Sequence, residues 1–243
     1  MRNQFHILYQ PYKWLFFFPF LVTNTLFFSL IGLLISLFSK KAGGYCGVLW
    51  ARLNMIVTPV FLKVLGRENI QKNTSYIIVL NHQSHYDIFL IYGWLGIDIK
   101  WVMKQELRKI PGFGICCEKI GHIFIDRSNT QVAIESMNKV KQKLVNGTSV
   151  VIFPEGTRSK TQKLGTFKRG AFRMAFDVGL PILPITLIGE KGILPYNLFD
   201  LLPGKARMII HKPVDVKKYA LDDLNTLMMD VSNIISAPLK QAD

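Results

Sequence analysis

The amino-acid sequence predicts an α/β protein in which helices flank a mixed sheet and an N-terminal apolar helical hairpin attaches the chain to a membrane. Two observations carry this prediction. Residues 14–38 contain no charged side chain and are long enough to cross a bilayer as a helix at ~1.5 Å per residue. After residue 66, short apolar runs alternate with segments of helical periodicity, which is the pattern of a sheet covered by helical layers.

The N-terminal apolar run contains residues that bear on its path through a bilayer. Pro19 lacks a donor and Asn24 needs a partner in lipid, so a kinked or partly submerged helix fits as well as a clean span. A second apolar stretch, residues 45–65, would complete a hairpin; the alternative is one span followed by a core helix. The polar composition that follows places a domain boundary between a membrane-associated segment, residues 1–65, and an α/β domain, residues 66–243.

Six strands and four helices are predicted along the α/β domain from apolar runs, helical periodicity and glycine or proline stops. The predicted strands are 75–80, 99–103, 121–125, 149–153, 182–187 and 206–210. The predicted helices are 86–95, 129–145, 167–178 and 221–237. Pro181 and Pro184 accompany the fifth strand, and they fit either an edge strand or a wall that faces lipid.

Basic residues outnumber acidic ones, giving a formal net charge of +14 and a pI near 9.7. Such a balance implies an anionic partner, which is nucleic acid, an anionic membrane or a phosphorylated substrate. The apolar N-terminus and the mean hydropathy of +0.24 favour lipid, so we expect no nucleic-acid partner. Cys46, Cys116 and Cys117 show no disulfide spacing, which fits a reducing compartment and small apolar side chains.

A histidine and an aspartate, His82 and Asp87, lie in the segment NHQSHYD between an apolar run and a predicted helix. A neutral imidazole can take a proton from an alcohol near neutral pH, and a carboxylate on its far nitrogen fixes the tautomer. The residues leave two alternatives open. Ser84 and Asp87 fit a capping box in which Asp87 is structural, and His82, His85 and Asp87 fit three ligands of a zinc or iron site.

Charged side chains follow three further predicted strands. Lys104 comes at the end of the second strand and Arg127 follows the third. The turn PEGTRS after the fourth strand contains Glu155 and Arg158. A guanidinium suits phosphate because it gives two parallel, charge-assisted hydrogen bonds. Taken singly, each basic residue also fits a solvated surface position.

The chain resembles the glycerolipid acyltransferase family, and within it the enzymes that acylate 1-acyl-sn-glycerol 3-phosphate. Five segments carry the resemblance, in the order NHQSHYD, KQELRKIPGFG, GHIFIDR, FPEGTRS and LPILPI. They cover roughly residues 66–190, and the N-terminal apolar hairpin is also similar to that of family members. An H-x-x-x-x-D segment followed by FPEGTRS is a highly specific combination, whereas LPILPI is the loosest match.

The resemblance implies a role for each matching residue. His82 is the expected general base, and Asp87 is the carboxylate that orients it. The residues expected to bind the glycerol phosphate of the substrate are Lys104, Arg127, Glu155, Gly156, Thr157 and Arg158. No metal ligand is implied, and Ser84 and His85 stand at positions that the family pattern leaves open.

The resemblance further implies a membrane enzyme of phospholipid biosynthesis with its catalytic domain at the cytoplasmic face. We expect it to move a fatty acyl group from acyl-CoA or acyl-carrier protein to the sn-2 hydroxyl of lysophosphatidic acid, giving phosphatidic acid without a cofactor. Membrane lipids, lysophosphatidic acid and the acyl carrier are the expected partners. Three alternatives remain: an acyltransferase for glycerol 3-phosphate or another lysolipid, a metal-dependent lipid hydrolase, and a non-catalytic lipid-binding protein.

Overall fold

The computed structural model describes residues 2–126, 144, 147–159, 164–195 and 201–241, with side chains from Ile7 onward apart from Leu221. The N-terminal part is helical. Helix α1 (Arg2–Tyr12) continues through a π-helical turn (Lys13–Phe17) into α2 (Phe18–Ser36), and α3 (Lys40–Val57) packs back against α2. This arrangement confirms the predicted apolar helical hairpin.

The hairpin is held by close backbone packing and by polar side chains inside it. A Cβ atom at Gly43 would meet the Gly32 carbonyl oxygen at 2.9 Å, so glycine lets α2 and α3 approach each other closely. Asn24 Nδ2 donates to the Trp50 carbonyl at 3.3 Å, and Trp50 Nε1 donates to Thr25 Oγ1 at 3.0 Å. Polar residues of the apolar run thus find partners on α3, as a low-dielectric setting requires.

The stretch Ile7–Ser36 is long and apolar enough to cross a membrane, with a mean hydropathy of 2.0 over its best window. A signal sequence or the core helix of a soluble protein meets the same criterion. Only 17% of this window is buried, however, whereas a core helix is mostly buried. The outward side of α2 is therefore an apolar surface that calls for an apolar environment.

Seven strands form one mixed sheet within the described residues, in the order β1-β7-β6-β2-β5-β3-β4. They are β1 (Val60–Leu65), β2 (Ile77–Leu80), β3 (Ile99–Lys104), β4 (Ile123–Ile125), β5 (Ser149–Ile152), β6 (Ile182–Ile188) and β7 (Gly204–Ile210). Neighbouring strands are parallel, except that β6 and β7 pair antiparallel. The predicted mixed sheet is confirmed.

Helices cover both faces of the sheet. Those after α3 are α4 (Asp87–Trp94), α5 (Phe113–Lys119), α6 (Gly170–Val178), α7 (Glu190–Ile193) and α8 (Leu224–Lys240). Short 3-10 turns lie at Arg67–Asn69, Gln105–Lys109, Val216–Lys218 and Leu221–Asp223. The helix predicted at 129–145 lies, apart from residue 144, outside the described residues.

Residues of β2 alternate between two apolar cores on opposite faces of the sheet. Ile78 and Leu80 belong to a core that includes residues of α3 and α4, whereas Ile77 and Val79 belong to a core with residues of α6 and α8. Consecutive strand residues point to opposite faces, so a strand buried on both sides must be apolar throughout. The central strand is therefore fixed in register by both layers.

The sequence predicts one apolar helical stretch over residues 45–65 and therefore misses strand β1. That prediction is wrong beyond Val57, where α3 ends, and β1 pairs in parallel with β7. Half-buried and exposed residues alternate along β1, which is the pattern of an edge strand covered on one face. The sheet therefore begins before the boundary predicted at residue 66.

Strand β6 lies in the interior of the sheet, between β2 and β7, and not at an edge as its prolines indicated. Its residues from Ile182 to Leu187 are buried. Pro184 is tolerated there because the antiparallel ladder with β7 begins one residue later, at Ile185, and the Pro184 carbonyl accepts a hydrogen bond from His211 N at 3.0 Å.

The parallel strands have their carboxyl ends at the same end of the sheet. Strand β2 ends at Leu80, β3 at Lys104, β5 at Ile152 and β6 at Ile188. In sheets of this kind, ligands bind outside the carboxyl ends of the strands. The segments that follow these four strands are therefore where a functional site is expected.

Candidate active site

His82 and Asp87 lie just beyond β2, in the turn that leads into α4. His82 Nδ1 is 2.9 Å from Asp87 Oδ2, and the Asp87 side chain is fully buried while that of His82 is 16% exposed. This hydrogen bond assigns the proton to Nδ1 and makes Nε2 the basic nitrogen. The imidazole also stacks on the Phe153 ring with centroids 3.7 Å apart, so its plane is fixed on two sides.

Asp87 holds the turn as well as the imidazole. Its Oδ2 accepts hydrogen bonds from Gln83 N at 3.0 Å and Ser84 N at 3.1 Å, while Ser84 Oγ accepts one from Tyr86 N at 2.9 Å. One half of the capping alternative, the contact from Ser84 N to Asp87, is therefore present on the same oxygen as the imidazole contact. The other half is not, because Ser84 Oγ accepts from Tyr86 N and α4 begins at Asp87 with Tyr86 as its N-cap. Burial acts to raise the pKa of Asp87, while the N–H groups of Ser84 and Gln83 act to lower it and favour the ionised form.

Two side chains of the turn fasten it to the segment around α7. Asn81 Nδ2 donates to the Leu187 carbonyl at 3.0 Å, and Leu187 N donates to Asn81 Oδ1 at 2.8 Å. Ser84 Oγ donates to the Leu194 carbonyl at 2.7 Å. The residues on either side of His82 are thus tied to β6 and to the end of α7, which sets the position of the imidazole.

Glu155 supports His82 through the main chain. Its Oε1 accepts a hydrogen bond from His82 N at 2.7 Å, and its Oε2 accepts one from Gly165 N at 2.9 Å. Burial raises the pKa of Glu155, while these two N–H groups act to lower it. The sequence placed Glu155 among the residues that bind phosphate; the structure gives it a role in holding the turn after β5 against His82.

A cavity of about 720 Å³ opens beside His82. Much of its wall is apolar and comes from α2, α3 and α5, with Phe28, Trp50 and Phe113 among the contributors. The predicted substrate-binding residues that also line it are Lys104, Gly156, Thr157 and Arg158. The structure therefore brings the imidazole, an apolar wall and two cationic side chains to one cavity.

Positive charge gathers at this cavity. Burial, and after it the charge of Arg158, lowers the pKa of His85 to about 4, so His85 is neutral near pH 7. A Cβ atom at Gly156 would lie 3.0 Å from Lys168 Nζ, which places a further ammonium group at the PEGTRS turn. No sequence pattern indicates Lys168, because tertiary packing brings it to the PEGTRS turn, where its N–H donates to the Pro154 carbonyl at 2.8 Å.

The structure does not test Arg127, and it does not group the three residues of the metal alternative. Arg127, expected to contact phosphate, lies outside the described residues. Among the residues whose placement is described, no three His, Cys, Asp or Glu side chains are grouped as metal ligands would be. His82, His85 and Asp87 thus do not form the metal site that the sequence left open.

The three cysteines are buried and free, and all of them line the cavity. Burial raises the pKa of Cys116 to about 11 and that of Cys117 to about 12. These thiols stay protonated near neutral pH and serve as small apolar wall groups, as the sequence indicated.

Comparisons with known proteins agree with this geometry. A family model described as acyltransferase matches residues 61–188, which is more than half of the chain. The chain is similar to the 1-acyl-sn-glycerol-3-phosphate acyltransferase BAT2 of Brassica napus, at 32% identity over 84% of this chain and 60% of that protein. The corresponding enzyme of Haemophilus influenzae is 32% identical over 71% of this chain and 72% of that protein.

The fold has a close structural relative of known architecture. The crystal structure of the 1-acyl-sn-glycerophosphate acyltransferase PlsC from Thermotoga maritima superposes with a TM-score of 0.83 at 28% identity, covering 99% of this chain and 97% of that one. The chain spans a smaller share, 60% and 52%, of the plant relatives from Brassica napus and Arabidopsis thaliana. The family match over residues 61–188 shows that this chain belongs to the acyltransferase family.

Proposed function

We propose that this protein transfers a fatty acyl group from acyl-CoA or acyl-carrier protein to the sn-2 hydroxyl of 1-acyl-sn-glycerol 3-phosphate, giving phosphatidic acid. The observation that carries the proposal is the 2.9 Å contact between His82 Nδ1 and Asp87 Oδ2 beside a cavity with an apolar wall and cationic residues. The names of the relatives, which are 1-acyl-sn-glycerol-3-phosphate acyltransferases, support the same acceptor.

The proposed reaction needs a general base that deprotonates the acceptor hydroxyl and a binding site for the acyl thioester. His82 Nε2 takes the proton of the sn-2 hydroxyl as the oxygen attacks the thioester carbonyl. The tetrahedral intermediate collapses to the ester and a thiolate, which takes the proton from the imidazolium. Asp87 holds the imidazole in the required tautomer and stabilises the imidazolium. No cofactor enters the scheme, because the thioester is already activated.

The acceptor's phosphate is proposed to bind at the cationic residues around the PEGTRS turn. Arg158 borders the cavity that contains His82, and Lys104 at the end of β3 borders it too. Lys168 adds charge next to Gly156. A guanidinium and an ammonium group on the wall of one cavity, with a second ammonium group beside Gly156, suit a phosphate monoester better than a neutral lysolipid, since each can give a charge-assisted hydrogen bond. We retain Arg127 as a further phosphate contact on the resemblance alone.

The membrane is proposed as the place where both lipids are met. The apolar wall of the cavity is built partly by α2 and α3, the hairpin whose outer side exposes apolar residues. A lysolipid and a fatty acyl chain can therefore approach from the bilayer without crossing water. With the net charge of +14, we propose that the catalytic domain lies at the cytoplasmic face, against anionic lipid.

A turnover assay with the purified full chain tests the function. Lysophosphatidic acid, glycerol 3-phosphate, lysophosphatidylcholine and monoacylglycerol would each be offered with acyl-CoA and with acyl-carrier protein, and products identified by mass. We expect phosphatidic acid from lysophosphatidic acid at a kcat/KM at least tenfold above the other acceptors. Arg158→Ala should raise the KM for lysophosphatidic acid and leave that for acyl-CoA unchanged. Preference for a neutral acceptor, or hydrolysis without transfer, would overturn the proposal.

A further inference from the structure

A second buried carboxyl group, Glu190, lies beside the His82–Asp87 pair. Strand β6 is the parallel neighbour of β2, with Leu80 opposite Ile185, so the segment after β6 runs next to the turn after β2. Two fastenings of that turn, to Leu187 and to Leu194, lie on either side of Glu190. The side chain of Glu190 is completely buried, a position that a carboxylate rarely occupies without a partner.

Asp87 and Glu190 each have buried carboxyl oxygens that lack a hydrogen-bond partner among the described residues. Asp87 Oδ2 receives hydrogen bonds from His82, Gln83 and Ser84, but the buried Asp87 Oδ1 has no partner among the described residues. Both oxygens of Glu190 are buried and likewise have no hydrogen-bond partner in the described part of the chain. A carboxylic acid carries one donor, which is what an unpaired carboxylate oxygen needs.

Electrostatics requires this pair to keep a proton. Burial and, after it, the negative charge of Asp87 together raise the pKa of Glu190 to about 8, because two carboxylates in a low-dielectric site repel each other. The charged groups that act on the pair besides His82 are Glu155 and Arg158 on the Asp87 side and Lys191 on the Glu190 side. The pair therefore titrates as a unit and holds one proton near neutral pH.

Hydrogen bonding decides which residue carries the charge. Asp87 has an imidazole and two main-chain N–H groups directed at one oxygen, whereas neither carboxyl oxygen of Glu190 has a hydrogen-bond donor among the described residues. Donors favour the ionised form, so the charge belongs on Asp87 and the proton on Glu190.

We propose that Glu190 is a positioning residue whose protonated carboxyl donates to Asp87 Oδ1, directly or through one water, and so keeps Asp87 ionised and turned toward His82. The inference rests on the proposed acyl transfer, in which His82 is the base. It adds a residue that lies outside NHQSHYD and FPEGTRS. Nothing in the order of residues along the chain pointed to it, because it is the pairing of β6 with β2 that brings the segment of Glu190 next to the turn of Asp87.

The thermal stability of the full chain in detergent tests the proton directly, without turnover. An acid protonated in the folded state and ionised in the unfolded chain destabilises the folded state as pH rises from its ordinary pKa to its folded one. Glu190→Gln removes that penalty and keeps a donor. Relative to the wild-type Tm, the Tm of Glu190→Gln should rise by at least about 2 °C between pH 5 and pH 8. A Tm difference between variant and wild type that does not change with pH overturns the proposal. A Tm difference that falls as pH rises, which is expected if an ionised Glu190 pairs with Lys191, overturns it too.

Turnover of matched variants tests the positioning role. Glu190→Gln should keep kcat within threefold of the wild type at pH 7, whereas Glu190→Met, similar in size but without a donor, should lower kcat at least tenfold and leave both KM values unchanged. Equal activity of Glu190→Met and wild type, or equal losses in both variants, overturns the role. Asp222→Asn, at an exposed carboxyl, controls for the change from acid to amide. If the wild type turns nothing over, the proposed function fails, while the stability comparison still decides where the proton lies.

Discussion

At the scale of single residues, the site depends on three donors that meet one carboxylate oxygen. The imidazole of His82 and two main-chain N–H groups all point at Asp87 Oδ2, so Asp87 cannot turn away without breaking the start of α4. This arrangement joins hydrogen bonds that hold the turn to the contact proposed for catalysis. It also explains why the two readings of Asp87 could not be separated from the sequence alone.

The sequence predicted the His82–Asp87 contact because strand, turn and helix start are adjacent in the chain. It did not predict the role of Glu155 in holding His82 N, or the place of Lys168 beside Gly156. Those contacts join separate segments whose meeting depends on strand order. A local pattern thus identifies a reactive group, while its supports are set by tertiary packing.

Asp87→Asn separates the charge of Asp87 from its shape. The amide oxygen can still accept from the turn, so the fold should persist, but the imidazolium loses its counter-charge. We expect kcat to fall by about 10²-fold or more with little change in KM. Steady-state kinetics beside circular dichroism would check this, and a variant with near-normal kcat would mean that Asp87 serves only as a cap.

At the scale of elements, α4 is positioned by the hairpin on one side and by the sheet on the other. Gly47 of α3 faces Tyr92 of α4 so closely that a methyl group would overlap the ring, and Tyr92 Oη donates to the Gly44 carbonyl at 3.2 Å. Since α4 begins at Asp87, the packing of α3 reaches the active site. The apolar hairpin is thus part of the scaffold of the turn that carries His82.

Gly47→Ala tests this packing, and Gly170→Ala at the start of α6 is its matched control. Overpacking against Tyr92 should lower the free energy of unfolding by about 1–3 kcal/mol and reduce kcat. No atom lies within 4 Å of a methyl group at Gly170, so that change should be neutral or stabilising by up to about 1 kcal/mol. Denaturant unfolding and turnover measure both variants; equal effects would show that α3 and α4 are not coupled in this way.

The type of an element could be predicted where its hydrophobic periodicity was strong. The prediction failed where a strand and a helix share the same residue composition. The sequence predicts β1 as part of an apolar helix, because a short edge strand after α3 has the same residue types as a helix end. The prolines of β6 indicated an edge, yet Pro184 sits where its ladder with β7 has not yet begun. Burial and strand order, which decide these cases, cannot be read from a single segment.

At the scale of the whole molecule, an apolar outer surface on α2 adjoins a strongly basic catalytic domain. Leu26, Leu30 and Leu34, spaced four residues apart on one face of α2, expose 55%, 58% and 49% of their surface. Fully burying a leucine is worth about 1.5–3 kcal/mol, so this face alone supports membrane binding of several kcal/mol. The basic charge adds to it where the lipid is anionic.

Replacing these three leucines with glutamine should release the protein from vesicles. We expect the vesicle-bound fraction to fall at least tenfold in a flotation assay with phosphatidylcholine and phosphatidylglycerol, because the three leucines together contribute several kcal/mol of apolar burial in lipid. Met229→Gln on α8, where the side chain is 62% exposed, is the control and should float like the wild type. Unchanged flotation of the triple variant would place the membrane contact elsewhere.

The most direct measurement compares catalysis with binding when the imidazole is removed. His82→Ala should form phosphatidic acid from lysophosphatidic acid and acyl-CoA at least about 10²-fold more slowly than the wild type. Its affinity for lysophosphatidic acid should be nearly unchanged, because Lys104, Arg158 and Lys168 remain. His211→Gln, at a histidine that bonds Thr186, should turn over normally. Rapid phosphatidic acid formation by His82→Ala would contradict the account, as would a wild type that binds the lysolipid and never acylates it.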